Sequence, residues 1–183
     1  PGVPEDEARA LLAAAAVEVA KQNRASSWHL TFATKEEWGA LGALNLLQRT
    51  DTQYHWHNRG YESFDDFLST LASRKRKTVR KEREQARASG VTLEWLTGSD
   101  IKEAHWDIFF RFYMDTGNRK WGSPYLTRAF FSLLGQSMAG RILLVMGKRD
   151  GAYVAGALNF IGADTLYGRY WGCLENHSFL HFE

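Results

Sequence analysis

Three consecutive strand-forming segments near the end of the chain constrain its fold more than any other feature. They cover residues 141–148, 152–161 and 165–172 and are rich in aliphatic and aromatic side chains. Asp150-Gly151 is a strong signal for a two-residue hairpin turn between the first two segments. Gly162-Ala163-Asp164 marks the turn between the second and third. The pattern predicts neighbouring antiparallel strands, which any fold of this chain has to contain.

The preceding part of the chain alternates helix and strand signals. Helices are predicted over 5–22, from Thr34 to about Gly42, and from Ser63 through the basic run to Ala88, where Gly90 ends the last one. Thr34 with Glu37 and Ser63 with Asp66 are capping signatures. Two further helices are expected, one capped by Ser99 or Asp100 and one from Leu126 or Thr127 to about Met138. Alternation predicts strands over 27–33, 46–49, 53–58 and 91–96. The fold class is therefore mixed α/β.

Composition indicates an ordinary globular protein. Hydrophobic residues make up 44% of the 183 residues and charged residues 24%. No apolar run is long enough to span a membrane, and the N-terminus does not resemble a signal peptide. The single cysteine, Cys173, excludes an internal disulfide and fits a reducing compartment. We therefore expect a cytoplasmic protein.

A basic segment from Arg74 to Arg87 predicts an anionic partner. It holds eight lysines and arginines against two glutamates, a density that suggests more than solubility. Arginine forks bind phosphate in a bidentate manner. The predicted phosphate or anion contacts are Arg76, Lys77, Arg80, Lys81 and Arg83. A solvated helix face is the alternative explanation.

Several ordered motifs resemble a bacterial Fem-like family of predicted N-acyltransferases. They begin with Q-Y-H-W-H-N-R-G-Y at 53–61, S-F-D-D-F-L at 63–68 and R-K-R-K at 74–77. The later ones are K-W-G-S-P-Y-L at 120–126, G-A-L-N at 156–159, L-Y-G-R-Y-W-G at 166–172 and L-H-F-E at 180–183. The resemblance extends over nearly the whole chain from Ala8 onward.

The resemblance implies parts of two tandem GNAT-like units, the fold of acyl-CoA N-acyltransferases. Residues 1–60 correspond to the C-terminal half of a first unit, 61–90 to a basic connecting helix, and 91–183 to the N-terminal half of a second unit. The chain therefore looks like a fragment whose acyl-donor cleft is incomplete. Pairing of the two halves into one permuted sheet, a homodimer or a swapped assembly are all compatible with this reading.

In the GNAT comparison, the segment Tyr167–Gly172 corresponds to the strand that meets acyl-CoA. The predicted cofactor-binding residues are Tyr167, Gly168, Arg169, Tyr170, Trp171 and Gly172. A main-chain N–H beside a strand distortion would hold the donor carbonyl as its oxygen becomes negative, and the two glycines would permit a bulge and close approach of a ligand. A glycine-containing hairpin with aromatic packing is the alternative.

The remaining site residues are expected from the chemistry of amine attack and from the family motifs. His181 or Glu183 is the expected base that removes one proton from the amine, although either could simply cap a helix. Trp56, Asn58, Trp121 and Tyr125 are expected along an acceptor groove, although they could equally be structural. His55 and His57 lack a third ligand nearby in sequence, so no metal site is predicted.

The predicted function is transfer of an acyl or aminoacyl group to an amine acceptor, which could be a cell-wall precursor. The donor would be acyl-CoA or aminoacyl-tRNA, bound as a substrate, and no permanent cofactor is expected. Partners would be phosphate-bearing substrates, with tRNA among them. The alternative is a non-catalytic module of the same fold that binds an anionic ligand such as a nucleotide or nucleic acid.

Overall fold

The computed structural model describes residues 2–119, 124–175 and 178–180, and the chain divides into two compact units. The first is Pro1–Arg59 and the second is Gly60–Glu183. Each unit has its own helices, and the sheet belongs to the second.

The first unit contains two helices whose ends follow from local sequence. Helix α1 is Glu5–Gln22, with three acidic residues in its first turn and Lys21 in its last, as the helix dipole favours. Helix α2 is Lys35–Ala43. At its start, the Thr34 hydroxyl accepts the Glu37 N–H while the Glu37 carboxylate accepts the Thr34 N–H. The predicted capping box is confirmed.

Three strand predictions in the first unit are wrong, namely those over 27–33, 46–49 and 53–58. The structure gives these segments no strand pairing. Phe32 has a φ of 61°, which breaks an extended run, and its side chain is 84% exposed. A strand is stable only when a neighbour satisfies its main-chain groups, and the described residues of the first unit supply none. The alternating pattern alone therefore could not produce a sheet, and 27–33 forms no strand of the kind that a permuted sheet would need.

The single basic helix predicted from Ser63 to Ala88 is instead two helices. Helix α3 is Phe64–Ser69, capped by the Ser63 hydroxyl as predicted, and helix α4 is Ser73–Ala88. The hydroxyls of Ser69 and Thr70 donate to carbonyl oxygens of the preceding turn. Such bonds satisfy the end of a helix and compete with its continuation. Gly90 ends α4 with a φ of 76°, as expected of a glycine there.

The second unit is built on a four-stranded antiparallel sheet in the order β1-β2-β3-β4. Its strands are Thr92–Leu96, Ile142–Arg149, Ala152–Ile161 and Leu166–Cys173. The predicted hairpin turn is confirmed, since Asp150 and Gly151 both have positive φ, which this turn requires. All four predicted strands in this part of the chain are confirmed to within one residue at each end.

Two helices join β1 to β2 and cover one face of the sheet. Helix α5 is Glu103–Arg119 and helix α6 is Arg128–Met138. The predicted caps of α5 were placed too early, because Gly98–Asp100 forms a separate 3-10 turn. The start of α5 is satisfied by His105, whose Nδ1 accepts the Lys102 N–H at 3.0 Å.

The core lies between these helices and the sheet. Its largest fully buried side chains there are Trp106, Phe109, Phe112, Phe131, Ile142, Leu144, Met146 and Leu158. Burial of a side chain of this kind away from water contributes about 1.5–3 kcal/mol to the free energy of folding. This packing fixes α5 against the sheet and so sets the position of β4, which α5 crosses.

Candidate functional site

Strand β4 is an exposed strand at one end of the sheet. In the described part of the chain it pairs with β3 on one side and with no strand on the other. The residues from Leu166 to Arg169 are exposed, Tyr170 is half-buried, and only Gly172 and Cys173 at the end of the strand are buried. A ligand can therefore reach the segment that the sequence singled out.

Arg169 is an extra residue in the pairing of β4 with β3. Leu158 lies opposite Tyr170, whereas the next residue, Asn159, lies opposite Gly168. Two residues of β4 thus face one step of β3, which defines a β-bulge, and the main chain of the extra residue is displaced from the regular ladder. A bulge in this strand is the distortion that the sequence led us to expect.

The bulge brings Arg169 and Tyr170 together with Tyr125 from the segment before α6. The Tyr125 and Tyr170 hydroxyl oxygens are 2.7 Å apart, and the Arg169 guanidinium donates to the Tyr125 hydroxyl at 3.1 Å. The Arg169 Cζ atom also lies 4.5 Å from the centre of the Tyr170 ring. Stacking and hydrogen bonding together hold the guanidinium in one orientation.

The hydrogen-bond inventory of this cluster leaves a donor for a ligand. Two phenol groups carry two O–H hydrogens, and their mutual bond uses one. The Arg169 bond to Tyr125 uses an N–H of the guanidinium. Whichever tyrosine donates in the mutual bond, the other O–H points elsewhere. Together with the other guanidinium N–H groups, it can donate to an oxygen with negative charge.

Tyr170 is a hydrogen-bond donor at neutral pH and not a base. Burial, and then the hydrogen bond with Tyr125, raise the pKa of Tyr170 to about 12, although the Arg169 charge acts in the opposite direction. The phenol therefore stays protonated across the physiological range.

Tyr113 of α5 holds the cluster in place, and sequence reasoning missed it. Its hydroxyl accepts the N–H groups of Tyr125 and Leu126, both at 3.1 Å. Its ring packs edge-on against Tyr170, with centroids 5.2 Å apart. In the sequence Tyr113 has the helical spacing of the buried α5 residues and is read as core, which its ring indeed is. Nothing in that spacing signals the role of the hydroxyl.

The two glycines of the segment do different things. A Cβ on Gly172 would lie 2.6 Å from the Phe112 carbonyl oxygen, whereas the nearest neighbour of a Cβ on Gly168 would be Asn159 Oδ1 at 3.6 Å. Gly172 thus permits close approach of α5. We had expected Gly172 to let a ligand approach the main chain. That prediction is wrong, because the space beside Gly172 is occupied by α5 of the protein itself.

A comparison with protein-family models matches the FemAB-like family, described as peptidoglycan biosynthesis/recognition, over residues 1–183. The chain belongs to this FemAB-like family. None of the curated proteins matches the sequence. Membership associates the protein with peptidoglycan biosynthesis and with a family of transferases. No helix in the described parts of the FemAB-like chain is long and apolar enough to cross a membrane.

The basic helix of this FemAB-like protein has two different sides. Three of the predicted anion contacts lie on the side facing α3. Arg76 donates to the Ser69 carbonyl oxygen at 3.1 Å, Arg80 pairs with Asp65 at 3.0 Å, and Arg83 lies 4.0 Å from the centre of the Phe64 ring. Through these contacts the three arginines hold α4 against α3, which is a structural role. Lys77 and Lys81 are exposed on the other side.

A second polar cluster, which the sequence did not predict, lies where β1, β3 and α5 meet. The Tyr153 hydroxyl donates to the Glu94 carboxylate at 2.5 Å and lies 3.5 Å from His105 Nε2. Lys148 adds an ion pair with Glu94 at 3.3 Å. The bond from Tyr153, and then that from Lys148, lower the pKa of Glu94, and the Glu94 bond raises the pKa of Tyr153 to about 12. The carboxylate is satisfied within the protein, which indicates a structural role.

The remaining predicted site residues belong to the first unit or lie outside the described residues. Trp56 and Asn58 are exposed in the first unit. Trp121, His181 and Glu183 lie outside the described residues. The first unit has a cleft of about 500 Å³, lined by α1, α2 and the segments beside them, including Trp28, His29 and Trp38. His29 Nε2 is hydrogen-bonded to the Ser27 hydroxyl at 2.8 Å.

Proposed function

We propose that this FemAB-like protein transfers an acyl or aminoacyl group from acyl-CoA or aminoacyl-tRNA to an amine acceptor, with a cell-wall precursor as acceptor. We propose further that the second unit is the first half of a GNAT-like fold. The order strand, two helices, three antiparallel strands supports this. The observation that carries the proposal is the exposed bulge at Arg169, with hydrogen-bond donors gathered around it.

The reaction makes one bond and breaks one. The amine nitrogen attacks the donor carbonyl carbon and forms the C–N bond. The C–S bond of a thioester, or the C–O bond of an aminoacyl ester, then breaks as the leaving group departs with its electron pair. The amine loses one proton to a base, and the leaving group gains one.

The residues of the site suit the charge that develops in this reaction. The carbonyl oxygen becomes negative as the amine adds, and preorganised donors stabilise it most when they need not reorient. We assign that role to the main chain at the bulge and to the remaining O–H of the Tyr125–Tyr170 pair. Arg169 would bind a phosphate or carboxylate of the donor or acceptor.

His181 stays the proposed base, with Glu183 as the second choice. An imidazole has an ordinary pKa near neutrality, which suits proton removal from an amine at physiological pH. Because neither residue lies in the described part, their assignment rests on the chemistry of the reaction and on the family motif L-H-F-E.

The test is a transfer assay on the whole protein. Radiolabelled acetyl-CoA, longer acyl-CoAs and charged tRNAs are each incubated with a panel of amines, using wild type, Arg169→Ala and His181→Ala. We expect label to appear on an amine with the wild type and to fall with each variant. Tight binding of a donor without transfer would contradict the transferase and support the non-catalytic binding module. If the protein neither binds nor transfers any of these donors, both hypotheses are wrong.

A further inference from the structure

Helix α4 carries a stripe of unpaired positive charge on the side away from α3. The stripe consists of Arg74, Lys77 and Lys81, which follow one another at intervals of three and four residues. At about 100° per residue they lie within roughly 60° of one another around the helix axis. All three are exposed, and their side chains have no partner among the residues that the structure describes.

The packed side of the same helix shows that this arrangement is not a uniform run of charge. Arg76, Arg80 and Arg83 each contact α3, and Ala86 is buried. The structure therefore divides the basic run into cations that hold α3 and α4 together and cations left to solvent. Within α4, Glu84 is the acid that borders the stripe, one turn beyond Lys81.

The shape and chemistry of the stripe favour an extended anionic surface as its partner. Two of the three cations are lysines, which are strongly hydrated point charges without the planar fork that recognises one phosphate. The stripe lies on the outer side of one helix and contains no aromatic residue on which a nucleic-acid base could stack. A regular row of point charges on a convex helix fits a layer of phosphate headgroups better than a pocket-bound ligand or a single-stranded RNA.

We propose that Arg74, Lys77 and Lys81 dock this protein on a membrane surface rich in anionic phospholipid. Each basic residue near such a surface strengthens binding by about fivefold, and the attraction weakens within about 10 Å at 0.1 M salt. The contact is peripheral and electrostatic. It does not depend on the transfer reaction proposed for β4.

The experiment is vesicle co-sedimentation with the whole chain at neutral pH. One set of vesicles contains phosphatidylcholine alone, and the other contains about one-third phosphatidylglycerol, a fraction chosen so that charge dominates binding. We expect binding to the anionic vesicles alone and its loss at high salt. The triple variant Arg74→Gln/Lys77→Gln/Lys81→Gln should bind about a hundredfold more weakly, which follows from three losses of about fivefold each.

The matched control removes the same charge elsewhere. Lys21→Gln/Arg24→Gln/Lys35→Gln neutralises three exposed cations of the first unit and should bind as the wild type does. Glutamine keeps good helix propensity, and circular dichroism of both variants checks that the helices remain. Arg169→Ala should also bind normally, which separates this proposal from the transferase.

Three results would overturn the proposal. One is equal weakening in the α4 variant and the control, which would show a response to net charge only. Another is absence of binding to the anionic vesicles. The third is preference for double- or single-stranded RNA over vesicles at equal phosphate concentration, which would assign the stripe to nucleic acid.

Discussion

The hydroxyl oxygens of Tyr125 and Tyr170 lie 2.7 Å apart, although 45 residues separate the two tyrosines along the chain. Tyr170 is on β4 and Tyr125 precedes α6, so their contact exists only because α5 and α6 pack on the sheet. Arg169 donates to the same Tyr125 hydroxyl. The pair therefore joins a residue predicted to bind the donor with one predicted to line the acceptor groove.

Replacement of Tyr170 by phenylalanine tests whether the paired hydroxyls take part in transfer. Tyr170→Phe keeps the ring against Tyr113 but removes one O–H and the mutual bond, so the remaining Tyr125 O–H is no longer held in a fixed direction. We expect kcat/KM to fall by about tenfold to a hundredfold, since a preorganised hydrogen bond to a developing charge contributes about 1.5–3 kcal/mol. Tyr54→Phe, at an exposed tyrosine of the first unit to which no role in the site is assigned, is the control and should leave kcat/KM unchanged. If the two changes lower kcat/KM equally, the Tyr170 hydroxyl has no specific part in the transfer.

Replacement of Arg169 tests whether its charge or its geometry matters. Arg169→Lys keeps the charge but loses the planar fork that stacks on Tyr170 and donates to Tyr125. We expect Arg169→Ala to raise KM for the phosphate-bearing substrate by about tenfold or more, and Arg169→Lys to restore only part of that loss. Initial rates over a range of substrate concentrations separate KM from kcat. Full recovery with lysine would contradict a geometric role.

Replacement of Gly172 by alanine tests the contact between β4 and α5. The added Cβ would meet the main chain of Phe112 at 2.6–2.8 Å, so strand or helix has to shift. We expect a loss of about 1–3 kcal/mol in the free energy of unfolding, as for overpacked cores. In Gly168→Ala, in the same strand, the added Cβ has no neighbour closer than 3.6 Å. This change should alter the free energy of unfolding by less than about 0.5 kcal/mol. Urea unfolding of the two variants gives both values, and similar values would contradict the model of a tight contact.

The pH dependence of stability should reveal the Glu94–Tyr153 bond. The folded-state pKa of Glu94 is lowered, so its contribution is present above the unfolded pKa and is lost as pH falls through the folded value. The folded-state pKa of Tyr153 is raised to about 12, so its contribution is present below the unfolded value near 10 and is lost as pH rises through 12. The measurement is the midpoint of urea unfolding as a function of pH. We expect Glu94→Gln to reduce the fall of this midpoint at acid pH, and Tyr153→Phe to reduce its fall at alkaline pH. Lys102→Gln, outside this cluster, should leave both sides unchanged, and an unaltered profile in the first two variants would show that the bond contributes nothing to stability.

Local patterns predicted the second unit well. Strands β2, β3 and β4 follow one another directly, so the hairpin turn at Asp150 and Gly151 and the alternation of side chains sufficed to specify them. Strand β1 was predicted from its alternation alone, and its pairing with β2 depends on the two helices between them. The same reasoning failed for 27–33, 46–49 and 53–58, because a strand also needs a partner that its own sequence does not name. It also merged α3 with α4, because the hydroxyl bonds of Ser69 and Thr70 compete with the helix in a way that the basic run does not show.

The candidate site was predictable only in part for the same reason. The segment 166–172 stood out through its glycines and aromatic residues, and a bulge was expected there. The partnership with Tyr113 and Tyr125 was not predictable, since it depends on how α5 and the start of α6 meet β4. Likewise, spacing placed Arg76, Arg80 and Arg83 on one side of a helix but could not tell that α3 covers that side.

The sequence by itself determined the helices with clear caps, the antiparallel meander and the family, because these depend on residues close together or on motifs read in order. Only the tertiary structure decided which cations of α4 are left to solvent and which tyrosines share a hydrogen bond with each other. Those properties arise from packing between segments that are distant along the chain, where burial and shape select the contacts. Local sequence patterns carry no information about such distances.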